Sequence, residues 1–86
     1  MGLDSVELVM DFEKEFHLEI FDAAAVTMTT PRHVRDFVLA EYAREGRHAD
    51  PEDVFRRIQS VTARIVALKP DKIGLDSHFI DDLGLD

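Results

Sequence analysis

The sequence contains no cysteine. That removes disulfide cross-links, a thiolate nucleophile and every cysteine-based metal site. It also lacks any apolar run near the roughly 20 residues needed to span a bilayer. Acids stand early at the N-terminus in place of a positively charged leader, so no secretory signal is expected and the cytoplasm is the expected location. Basic residues are few: 10 Lys and Arg face 18 Asp and Glu, for a net charge of -8. Phosphate backbones and anionic lipid would repel such a chain, which argues against nucleic-acid and membrane partners. The same charge keeps a small domain soluble and suits docking onto basic patches of other proteins.

Catalytic signatures are absent too. His17, His33, His48 and His78 share no ligand spacing such as HExxH, so no metal site is expected. Asp81 and Asp82 read as a solvated or capping pair. There is no Gly-rich phosphate loop or nucleophile elbow, and 86 residues rarely enclose a cleft for acid–base chemistry. The chain is not expected to be an enzyme.

What is present is helical periodicity. An amphipathic helix is expected over residues 3–17. Val6, Val9, Met10, Phe12 and Phe16 fall on its apolar side with Leu3 and Leu8 flanking, and Asp4, Glu7, Asp11, Glu13 and Lys14 lie largely opposite. Ile20 and Phe21 can plug a core edge, and residues 23–26 can form one short turn. Thr30-Pro31 starts a second long helix, residues 31–44, carrying Val34, Phe37, Val38 and Tyr42. Residues 45–49 form a polar linker around Gly46. Asp50-Pro51 starts a third, with Val54, Ile58, Val61, Ile65 and Leu68 at helical spacing, expected to stop ahead of Lys69-Pro70. Residues 70–86 read as a long loop anchored by Ile73, Leu75, Phe79, Ile80 and Leu83. With no strand signal, the expectation is an all-α bundle of three main helices and one short one, in a single domain over residues 1–86.

Specific strings carry a resemblance. Residues 77–86 read S-H-F-I-D-D-L-G-L-D, residues 3–20 read L-D-S-V-E-L-V-M-D-F-E-K-E-F-H-L-E-I, and residues 28–30 read M-T-T. The first resembles the loop before the modified serine of acyl carrier proteins. The second is similar to the helix that follows that serine, and the third to the I-T-T opening the family's last helix. Residues 54–73 resemble the family's first helix and the start of its loop. The order differs from the family's: residues 1–44 resemble its second to fourth helices, and residues 50–86 its first helix and long loop. The chain therefore resembles a circular permutant of the family, cut at the modification site.

The resemblance implies a non-catalytic carrier. In the family a 4'-phosphopantetheine arm sits on the serine opening the second helix and holds an acyl thioester. A phosphopantetheinyl transferase attaches it, and acyl-processing enzymes of fatty-acid or related synthesis dock through basic patches. Two positions compete for that serine here. Gly2-Leu3-Asp4-Ser5 reads locally like the family's G-x-D-S, which makes Ser5 the literal candidate. The register of Val6 to Met10, Phe16 and Ile20 instead places Gly2 at the attachment position, and Asp86 at the aspartate before it. The docking face implied by the resemblance comprises Leu3, Asp4, Val6, Glu7, Met10 and Glu13, with Met28 beside the acyl channel and Asp86 at the junction. Lys14 stands where the family commonly has an acid. A monomer is expected, with a domain-swapped oligomer through the short linker as the other outcome. The alternative function is an unmodified, serine-less scaffold acting only as a protein-interaction module.

Overall fold

The computed structural model describes residues 3–85, and the side chain of Leu3 lies outside what it describes. Gly2 and Asp86, both singled out above, likewise lie outside the described residues. Four α-helices follow in order: α1 (Leu3–Phe16), α2 (Asp22–Ala25), α3 (Pro31–Arg44) and α4 (Pro51–Val66). A single 3-10 turn (Pro70–Lys72) comes after them. The described residues contain no strand, so the chain is all-α with three long helices and one short one. No helix of the described residues is long and apolar enough to cross a membrane.

Leu8, Phe12 and Phe16, each four residues on from the last, form the buried stripe of α1. Spacing had placed Val6 and Met10 on that stripe. They lie about 120° and about 160° from its centre at ~100° per residue, and both are exposed. The helix ends one residue earlier than expected. His17 turns left-handed (φ 53°), and the Leu18 amide closes back on the Glu13 carbonyl at 3.2 Å, satisfying an orphan acceptor.

The two proline-started helices begin where their caps predict. Thr30 Oγ1 accepts from the His33 amide at 3.4 Å, and Asp50 Oδ1 accepts from the Glu52 amide at 3.1 Å. Val34, Val38 and Tyr42 of α3, with Val54, Ile58 and Val61 of α4, are buried, and α4 packs against both α3 and α1. The Tyr42 hydroxyl donates to the Phe16 carbonyl at 3.0 Å, tying the C-terminal end of α1 to α3. Arg57 of α4 reaches the same place: it pairs with Glu15 at 2.8 Å and lies 4.7 Å from the Phe16 ring centroid. Partial burial works against the Arg57 charge, but the hydrogen bond and charge of Glu15 outweigh it and raise its pKa.

Proline does not end α4. The helix stops at Val66, and Ala67 adopts a left-handed conformation (φ 58°) with its amide on the Ala63 carbonyl at 3.0 Å. Leu68, expected on the apolar face, is past that end and exposed. The segment after Lys72 is pinned by hydrogen bonds to its backbone. Gln59 Nε2 donates to the Ile73 carbonyl, the Arg32 amide to the Leu75 carbonyl, and the Phe79 amide to the Thr29 carbonyl, at 2.8–2.9 Å. Ile73, Phe79 and Leu85 are buried. Ile80, expected as an anchor, is exposed, because the turn that carries it points Phe79 inward instead. Phe21 is also exposed, at 70%, and only Ile20 plugs the core edge.

Candidate functional site

Three segments leave a gap between them at the N-terminal half of α1. Ser5, Leu8 and Val9 form one wall. Ala25, Val26, Met28 and Thr29, from the end of α2 and the loop after it, form a second. His78, Phe79 and Ile80 form the third. The cavity has a volume of about 290 Å³ and a mostly apolar lining, which puts it near the lower limit of small-molecule pockets, roughly 300–1,000 Å³. Ser5 is the one serine lining it, and its side chain is half-buried. Val26 and Ile80 leave an exposed apolar rim.

The walls are fastened to one another. The Phe79–Thr29 backbone bond joins the third wall to the second. Arg32 grips Asp76 with two parallel bonds, Nε to Oδ1 at 2.8 Å and Nη2 to Oδ2 at 2.9 Å. The hydrogen bond from Arg32 holds the Asp76 carboxyl below the usual aspartate range, its charge adding to the effect. Beside them, His33 Nδ1 stands 3.3 Å from the Thr29 amide and 3.2 Å from both threonine hydroxyls, Thr29 and Thr30.

The turn over residues 78–83 has its own cap. His78 Nδ1 accepts from the amides of Ile80 (3.3 Å) and Asp81 (3.1 Å). In return, Asp82 Oδ2 accepts the His78 amide at 2.7 Å. This is a reciprocal cap with histidine in the place usually held by Ser, Thr, Asn or Asp. Asp82 takes the capping role that its pair with Asp81 suggested, whereas the part played by His78 was not legible; Ser77, just before it, is not in the cap. Its hydroxyl instead accepts the Gly74 amide at 2.9 Å.

The implied docking residues fall into groups. Asp4, Val6, Glu7 and Met10 are exposed on α1, and Met28 and Ser5 meet at the cavity. Glu13 is differently employed: its Oε2 accepts the Ile20 amide at 2.8 Å and so braces the loop after α1. Arg64 of α4 lines a groove with Glu7, Asp11, Lys14 and Glu15 of α1. Cations therefore flank one side of the acidic stripe, a feature that periodicity along α1 alone cannot reveal. The described residues contain no group of three or more His, Asp or Glu placed to hold a metal ion.

Comparison with known proteins gives a partial likeness. Over 38 residues the chain is 54% identical to an acyl carrier protein of Cyanidioschyzon merolae (strain NIES-3377 / 10D). That stretch is 44% of this chain and 42% of the relative, so the match spans less than half of either. No family model matches the chain, and no solved structure matches it.

Proposed function

We propose that this chain is an acyl-carrier domain in circularly permuted order, presenting an acyl thioester on a 4'-phosphopantetheine arm to acyl-processing enzymes in the cytoplasm. The observation that carries the reading is the apolar cavity of about 290 Å³ with Ser5 in its wall and the acidic helix beside it. The partial likeness to an acyl carrier protein supports it. So does the placing of the tail: residues 78–80 share a cavity with Ser5, as the two sides of the family's modification site should.

The residues fit such a group in two respects. The cavity walls offer an apolar acyl chain a site out of water, and burial would stabilise it by about 0.8 kcal/mol per methylene. Ser5 supplies a hydroxyl in the first turn of α1, where the helix dipole favours a phosphate. The arm supplies the thiol that holds the acyl group. The chain itself binds and orients, and needs no acid or base. A partner with a basic patch docks on Asp4 and Glu7, with Val6 and Met10 as apolar contacts. Lys14 and Arg64 weaken the far side of the stripe for such a partner.

Incubation with a phosphopantetheinyl transferase and coenzyme A, followed by intact-mass measurement, tests this. One added phosphopantetheinyl group, lost in Ser5→Ala, is expected. An unchanged mass removes the working-carrier reading and leaves the second one, an unmodified scaffold that only binds other proteins. The register that puts Gly2 at the attachment position favours that second reading. Modification gained in Gly2→Ser, with none at Ser5, would support the register.

A further inference from the structure

We propose that His78 is a proton-operated catch on the cavity wall: neutral, it holds the 78–83 turn closed over the cavity, and protonated, it lets the turn loosen and the cavity release an apolar occupant. That the occupant is an acyl chain rests on the reading above; the catch itself does not.

The argument starts from donors and acceptors. The backbone amides of Ile80 and Asp81 can only donate, and both point at His78 Nδ1, at 3.3 and 3.1 Å. Nδ1 must therefore be bare, with the ring proton on Nε2. An imidazolium carries a proton on both nitrogens and accepts nothing. Protonation thus removes the acceptor from two amides at once. It also offers the ring a new partner, because Asp81 Oδ2 lies 3.7 Å from the same nitrogen. Nδ1–H would turn from the amides to that carboxylate. A Ser, Thr, Asn or Asp at this position would cap the turn without titrating near neutrality.

The wall is where the loss would be felt. Phe79 and Ile80, the two residues after the cap, line the cavity with His78 itself. Among the described residues, the charged groups facing His78 belong to its own turn: Asp81, and Asp82, whose carboxylate accepts the His78 amide. The α1 wall presents Ser5, Leu8 and Val9, and the α2 side presents no charged side chain to the cavity. Across the Phe79–Thr29 bond, the nearest titratable group is His33, itself flanked by the Arg32–Asp76 pair. Aspartates ordinarily titrate near ~3.9 and histidine near ~6.5. Histidine is the side-chain type that ordinarily changes charge between about pH 5 and about pH 8, so that range is the one to scan.

Nitrogen-15 NMR on the full chain tests the catch without any acyl group. At about pH 8, His78 Nδ1 should carry the shift of an unprotonated nitrogen. On lowering to about pH 5, amide-exchange protection at Ile80 and Asp81, corrected for intrinsic rates, should fall about 5-fold, the weight of one helix cap. Binding of the neutral dye N-phenyl-1-naphthylamine should weaken by a similar factor. His78→Asn, whose carbonyl accepts but does not titrate, should flatten both profiles, whereas His33→Asn should leave them intact. A proton found on Nδ1 at the higher pH, or the same fall in His78→Asn, would overturn the proposal, and so would dye binding that ignores pH. Failure of Ser5 to take up phosphopantetheine would leave all these readouts standing, so the two ideas can fail separately.

Discussion

The rings of Phe12 and Phe79 meet with their centroids 6.3 Å apart and their planes inclined at 49°, so the C-terminal segment is held against the first helix by an aromatic contact. Both rings are buried. Between them stand 66 residues of chain, and this contact closes that loop. Phe79→Ala should therefore cost about 3 kcal/mol or more in urea or guanidinium melts. A change within about 0.5 kcal/mol would mean that the segment does not contribute its packing to the fold.

Tyr42 provides a subtler test of the joint between α1 and α3. Its hydroxyl donates to the Phe16 carbonyl in a buried setting. Tyr42→Phe keeps the ring and deletes only that donor. Stability should drop by about 1–2 kcal/mol, because a buried acceptor loses its partner. An unchanged denaturation midpoint would indicate that water reaches the carbonyl.

Ala67 holds a left-handed conformation that favours glycine (φ 58°), and it is exposed. Ala67→Gly should relieve part of a strain of about 1–2 kcal/mol, offset by the greater freedom of glycine in the unfolded chain. The net expectation is a gain of about 0.5 kcal/mol, read as a higher melting temperature. Destabilisation would mean that the end of α4 tolerates its alanine without cost.

The Arg32–Asp76 pair sets a pH dependence. The folded Asp76 carboxyl lies below its unfolded value because Arg32 hydrogen-bonds the charged form. The unfolded state therefore binds the proton more readily. The pair's contribution is present above the ordinary aspartate range and is lost as pH falls through and below it. Both side chains are substantially exposed, so the effect is small and screened by salt. Asp76→Asn should be slightly less stable than the parent at about pH 7 and indistinguishable from it at about pH 2. A difference that persists in acid would assign it to something other than the ion pair.

Much of the helical framework was legible because it depends on local rules. The Thr30-Pro31 and Asp50-Pro51 caps open α3 and α4 where they stand in the sequence, and Val34, Val38, Val54 and Ile58 are buried as their spacing requires. The errors came where the chain turns. Within α1, Val6 and Met10 share helical spacing with Phe12 and Phe16 but are exposed, as the docking face implied by the resemblance has them, because apolarity at helical spacing does not say which stripe faces inward. α4 stops ahead of Lys69-Pro70 as expected, but left-handed Ala67 is what ends it, and nothing local marks an alanine for that role. Exposed Phe21 and Ile80 show the same limit in loops, where side-chain direction follows from tertiary contacts.

At the candidate site the division is sharper. Ser5, Met28 and the exposed acids of α1 were named from the sequence by likeness to a known pattern. That Ser5 and Met28 share one cavity with His78 and Phe79 was not local information, because positions 5, 28 and 78 are far apart along the chain. His78 as a cap, Arg32 on Asp76 and Arg64 beside the acids of α1 all depend on such long-range placement. By itself the sequence determined the starts of α3 and α4, the net charge and the lack of cysteine chemistry, since these depend on residue type and near neighbours. Only the tertiary structure decided which side chains meet, because hydrogen bonds and apolar contacts act across a few ångströms of space, whatever the separation along the chain.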